Sequence, residues 1–103
     1  EQIIIPAIVR FELLYGAYKS NRIQETLSIL SDFISSFPSA DFNDRTALTC
    51  GQIRADLEKK GTPIGPYDLI IAATALANDF TLVTHNTREF SRVSGLRIID
   101  WEI

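Results

Sequence analysis

Apolar residues fall along this chain in two rhythms: short β-branched runs, and longer stretches that repeat every three to four positions. Ile3-Ile4-Ile5 is of the first kind and predicts a buried strand. Pro6, a favoured first helical residue, then leads into Ile8, Phe11, Glu12, Tyr15 and Lys19 at helical spacing. A second amphipathic helix is predicted over about Arg22 to Phe37, with Ile23, Leu27, Leu30 and Ile34 on one stripe, before Pro38-Ser39-Ala40-Asp41 breaks it. Asn43 or Asp44 can cap a third helix, whose stripe runs Ala47, Cys50, Ile53 (or Arg54) and Leu57. Lys59, Lys60 and Gly61 close it, and Thr62-Pro63-Ile64-Gly65-Pro66 reads as a loop. Tyr67 to Asn78 is apolar nearly all round, which predicts a helix buried on most sides. Thr81 to Thr84 is a strand, His85 to Ser91 a loop or short helix, and Leu96 to Ile99 a last strand ending near Trp101.

Strands separated by helices predict an α/β fold: a three-layer domain with a mostly parallel sheet and helices on both faces. The 103 residues make one domain, without internal repeat or linker. With 46% hydrophobic and 22% charged residues, disorder and fibrous folds are excluded. No apolar run approaches the roughly 20 residues of a membrane span, so no membrane partner is expected. The single cysteine, Cys50, has no internal disulfide partner, which favours a reducing compartment and a cytoplasmic location. A net charge of −3 argues against tight, indiscriminate nucleic-acid binding but leaves room for a local basic site.

In parallel α/β folds the reacting groups collect at the carboxyl ends of the strands. That rule selects the helix after Ile5, the helix starting at Pro66, and the segment after Thr84. Glu12 shares the packed stripe of Ile8 and Tyr15, where a carboxylate needs a partner; an ion pair with Arg10 or Lys19 is the plainer explanation. Asp68, in the first turn of its helix, suits the helix dipole without any chemistry. Asn86 could stabilise a turn, and Glu89 could pair with Arg88 or Arg92. Thr84 and Asn86 could instead orient a water or a carboxylate. Carboxylates converging on one crevice repel each other and call for a proton or a cation, and hard oxygen donors suit Mg²⁺ or Mn²⁺. His85, Arg88, Arg92 and Arg97 form a basic cluster that reads either as a phosphate-holding surface or as a solvated, salt-bridged one. With one histidine and one cysteine, zinc spacing is absent; no nucleophile elbow or phosphate-binding glycine loop occurs.

The run from Ile8 to Ala17, IVRFELLYGA, resembles the glutamate-bearing helix of PIN-domain ribonuclease toxins of the VapC type. Gly61 to Ala75, GTPIGPYDLIIAATA, is similar to that family's central aspartate segment. Thr81 to Leu96, TLVTHNTREFSRVSGL, followed by Asp100-Trp101, resembles its C-terminal signature. The resemblance implies a metal-dependent endoribonuclease acting on RNA, often tRNA or rRNA, through Mg²⁺ or Mn²⁺. It implies a cognate antitoxin and a homodimer. It matches Glu12 and Asp68 to the family's metal-site acids, and Asn86, with Glu89 three residues on, to its late acid. On that match and the chemistry of the residues themselves, Asp68 is expected as a metal ligand, Glu12 as a ligand or the holder of a metal-bound water, Asn86 and Thr84 as orienting groups, Glu89 as a further acid, and Arg88 and Arg92 as phosphate contacts. The family commonly has an acid where this chain has Asn86. Against the enzyme stands a non-catalytic PIN-like module that docks an antitoxin or dimerises. A phosphoacceptor receiver domain would need a late-strand lysine, and no lysine follows residue 60.

The family also places an aspartate on an opening strand near the centre of the sheet, and nothing here matches it. The chain begins Glu1-Gln2 and contains no methionine. The expectation is a longer native protein whose N-terminal segment, or a swapped strand, completes the sheet, and weak or absent activity for this chain alone.

Overall fold

The computed structural model describes residues 3–100. The end of the last predicted strand near Trp101 lies outside them. Two compact units follow one another, the first ending at Asp41 and the second beginning at Phe42.

The first unit contains β1 (Ile5–Pro6), α1 (Ala7–Lys19), α2 (Ile23–Ser35) and β2 (Ser39–Ala40). The β1 and β2 strands pair in parallel, with Ile5 opposite Ser39. The β2 strand falls where the sequence predicted only a helix break. Its two residues are recruited by non-local bonds: the Ile5 N–H donates to the Pro38 carbonyl at 2.9 Å. Arg10 extends the same bracket, donating from Nε to the Ile5 carbonyl at 3.0 Å and from Nη2 to the Phe37 carbonyl at 2.7 Å.

The inward register of α1 runs through Arg10, Leu14 and Ala17, and only Ala17 is fully buried. Glu12 lies about 200° around the helix from Leu14 at 3.6 residues per turn. It is exposed, and the expected burial on the Ile8–Tyr15 stripe is corrected: Phe11, Leu13, Tyr15 and Tyr18 are exposed as well. A groove of about 450 Å³, lined by Leu13, Gly16, Ala17, Ile29, Leu30 and Phe33 among others, opens between α1 and α2.

The second unit contains α3 (Asp44–Lys59), α4 (Pro66–Ala77), β3 (Leu82–Val83), α5 (Thr87–Phe90) and β4 (Ile98–Ile99). The β3 and β4 strands are again parallel, and the connection through α5 supplies the crossover that parallel neighbours need. Asn43 caps α3, its Oδ1 accepting from the Thr46 N–H at 3.0 Å and from the Thr46 hydroxyl at 3.1 Å. Thr46 shares the helical phase of Cys50, Ile53 and Leu57, and it is buried where Ala47 had been expected. The core is Ile53, Leu57, Leu69, Ala72, Ala73, Phe90 and Val93. Ala72 and Ala73 have no exposed surface, and with no side chain beyond Cβ they let α4 approach its neighbours closely. Thr74, also buried, spends its hydroxyl on the Ile70 carbonyl one turn back, at 2.8 Å. Burial pushes the Cys50 thiol up from its ordinary value, with Arg54 pulling the other way, so the thiol is protonated at neutral pH. Among the described residues no helix is long and apolar enough to cross a membrane.

Asn43→Ala should cost about 1 kcal/mol by removing the α3 cap. Leu57→Ala should cost about 2–5 kcal/mol through the cavity it leaves. Urea denaturation followed by circular dichroism measures both.

Candidate active site

Three segments of the second unit meet at the C-terminal edge of the β3–β4 pair and the adjoining start of α4. Gly65 is the N-cap of α4 and Pro66 its first residue, which puts Asp68 in the first turn beside the unsatisfied helix N–H groups. The chain leaves β3 through Thr84, whose hydroxyl accepts the Asn86 N–H at 3.0 Å. That turn sets Asn86 at the head of α5. The Asn86 side chain makes no cap bond to its own helix. Its amide nitrogen instead donates to Asp68 Oδ2 at 3.4 Å and to Glu89 Oε2 at 3.2 Å. The other Glu89 oxygen, Oε1, accepts the Gly65 N–H at 3.2 Å.

Glu89 is therefore held at several points, and these contacts keep its carboxyl below the ordinary glutamate range. The Asn86 amide contributes most, then the Gly65 N–H, then a hydrogen bond with the Asp68 carboxyl; the positive charge of Arg92 adds a smaller pull. Asp68 is half-buried, while Asn86 is exposed. This ring of Asp68, Asn86 and Glu89 unites three of the sequence-predicted site residues, with Thr84 behind them.

The basic residues do not share one surface. Arg88 is exposed and makes no side-chain hydrogen bond or ion pair among the described residues. Arg92 is half-buried and donates from Nη1 to the Pro63 carbonyl at 2.8 Å. Arg97 serves the opposite edge of the strand pair, ahead of β4. It contacts Asp79 Oδ1 at 2.8 Å, the Asp79 carbonyl at 2.7 Å and Thr81 Oγ1 at 3.2 Å. His85 Nδ1 lies 3.4 Å from Asp100 Oδ1, just past the ends of β3 and β4. Neither alternative partner claims Glu12 in the first unit: Arg10 is bound to backbone carbonyls, and Lys19 sits 5.2 Å from the centre of the Tyr15 ring.

Among the described residues no group of three or more His, Cys, Asp or Glu side chains gathers as a metal cluster. The donors that do gather, two carboxylates and an amide, offer hard oxygen atoms and no sulfur or imidazole, which fits Mg²⁺ or Mn²⁺ better than zinc. The sequence did not reveal the Gly65 N–H or the Arg92 tie, because both involve backbone atoms. The adjacent Gly65-Pro66 pair was the available signal, since glycine admits a close neighbour and proline starts a helix.

The PIN-domain family pattern matches residues 1–96. The tRNA(fMet)-specific endonuclease VapC of Salmonella typhimurium is 45% identical over 97 residues, covering 94% of this chain and 74% of that protein. Ribonuclease VapC2 of Rickettsia felis is 40% identical over 100 residues, covering 97% and 75% respectively. The fold is similar to that in the crystal structure of DNA-bound VapBC from Salmonella typhimurium, with a TM-score of 0.91 over 95% of this chain and 74% of that one, at 45% identity. VapBC-1 from nontypeable Haemophilus influenzae gives 0.91 over 97% and 75% at 31% identity.

A group whose pKa is lowered on folding adds stability above its unfolded value, near 4.5 for Glu89, and loses that contribution as the pH falls through the folded value. Asn86→Ala removes the largest cause. The Glu89 carboxyl, followed by carbon-13 resonance, should then titrate at higher pH, and the Glu89 share of acid destabilisation should shrink.

Proposed function

This chain belongs to the PIN-domain family, among the VapC-type toxins of toxin–antitoxin systems, and on that premise we propose that it is a metal-dependent endoribonuclease. Relatives at 40–45% identity are named as a ribonuclease and a tRNA-specific endonuclease, which supports RNA as the substrate class, with tRNA first among its candidates. The observation that carries the reading is the Asp68–Asn86–Glu89 ring on the segments that match the family pattern.

In this reading Asp68 would hold Mg²⁺ or Mn²⁺, and Glu12, matched by the α1 sequence pattern, would be a ligand or would hold a water. When bound, the divalent ion supplies Lewis-acid stabilisation of the charge that develops on the phosphodiester. Glu89, kept ionised by the groups around it, accepts a hydrogen bond from the attacking water and orients it. Asn86 restrains both acids, and Thr84 fixes Asn86 through its backbone. Arg88, exposed on α5, offers a planar cation to a substrate phosphate. Glu12 enters through the sequence pattern of the α1 segment and is available as an exposed carboxylate.

The similar structures are VapBC complexes, which supports an antitoxin as partner. The apolar α1–α2 groove offers a surface such a chain could cover. A homodimer and a cytoplasmic site of action complete the proposal.

A non-catalytic module that docks an antitoxin or dimerises is the second reading, favoured by the want of a three-ligand cluster among the described residues. It expects no heat on calorimetric titration with Mn²⁺. The enzyme reading expects saturable heat, and RNA cleavage that stops with chelator and returns with Mg²⁺. Asp68→Asn should lower cleavage by about a hundredfold or more while circular dichroism is unchanged. Full activity in that variant would remove Asp68 from the mechanism.

A further inference from the structure

Arg92 follows α5 and is half-buried, unlike the exposed Arg88 four residues earlier. Its Nη1 donates to the Pro63 carbonyl at 2.8 Å. Two residues further on, the Gly65 N–H donates to Glu89 Oε1 at 3.2 Å. The Pro63–Gly65 strap is therefore tied twice to the α5 region, once by a cation and once by an anion. Gly65 is also the N-cap of α4, and Asp68 stands three residues beyond it. Any drift of the strap away from α5 would carry Asp68 off Asn86, where the contact is already 3.4 Å long.

We propose that Arg92 is a positioning residue that pins the Pro63–Gly65 strap and thereby holds Asp68 and Glu89 on the shared amide of Asn86. A guanidinium suits the task. It carries donors and no acceptor, so it binds the Pro63 carbonyl and leaves the Gly65 N–H to Glu89. This assigns Arg92 a role toward the protein's own backbone, where the sequence pointed to substrate phosphate. Its consequence for metal binding rests on the reading of the preceding subsection.

The test uses the full chain carrying Arg92→Ala, Arg92→Lys, Glu89→Ala or Asp68→Asn. In nitrogen-15 correlated spectra, Glu89→Ala marks the Gly65 amide position with its acceptor removed. Arg92→Ala is expected to move the Gly65 amide more than halfway to that position, with the α3 and α4 core amides unmoved. Arg92→Lys, which keeps a cationic donor, is expected to restore most of the native position. Mn²⁺ affinity, read from free-ion electron paramagnetic resonance, should fall about tenfold in Arg92→Ala and recover in part in Arg92→Lys. A Gly65 amide that stays in place in Arg92→Ala overturns the proposal. So does a shift spread through the α3–α4 core, which would make Arg92 a general structural tether. If Gly65 responds as expected but Asp68→Asn binds Mn²⁺ as tightly as the unaltered chain, the positioning role stands and the metal-site reading falls.

Discussion

Two carboxyl groups drawn to one place repel each other unless something is shared between them. Here Asp68 and Glu89 share a single amide nitrogen, with Asn86 donating to one oxygen of each, and a hydrogen bond also joins the two carboxyl groups. Asn86 can do so because Thr84 folds its backbone into a turn and because it leaves its own helix uncapped. Had it capped α5, its oxygen would have turned toward the helix N–H groups and its amide away from Asp68. The arrangement leaves α5 without a side-chain cap, but the Thr87 N–H is met by the His85 carbonyl at 3.0 Å, so the penalty on so short a helix is small.

Everything that carries this ring is fixed by the apolar core of the second unit. Leu69 is the residue after Asp68 and Phe90 the residue after Glu89, and both are buried in the same cluster. Each acid is thus anchored by its immediate neighbour, and the polar groups set its orientation. The surrounding side chains divide by position. Those past the ends of β3 and β4, such as His85 and Asp100, face the same edge as the ring. Arg97, ahead of β4, is engaged with Asp79 and Thr81 at the other edge.

Patterns set by local chemistry were legible in the sequence. A cap at Asn43 or Asp44, of which the structure uses Asn43, the buried α4 and the parallel pairing follow from residue types and spacing, and the matching of strand ends to chemistry brought Asp68, Asn86 and Glu89 forward together. Features set by distant atoms were not. The β2 strand exists because the Pro38 carbonyl and Arg10 meet β1, and Ser39-Ala40 has no strand character of its own. Glu12 was misjudged because α1 supports two apolar stripes, and the one through Leu14 and Ala17 is the one turned inward. On α3, Thr46 is buried and Ala47 exposed because the face of Cys50, Ile53 and Leu57 continues back to Thr46, a phase that hydropathy alone did not choose.

The ring is closed by the protein's own donors, so its geometry is a product of folding alone. Whatever meets these two acids finds them already placed, and none of the cost of bringing them together falls on that encounter.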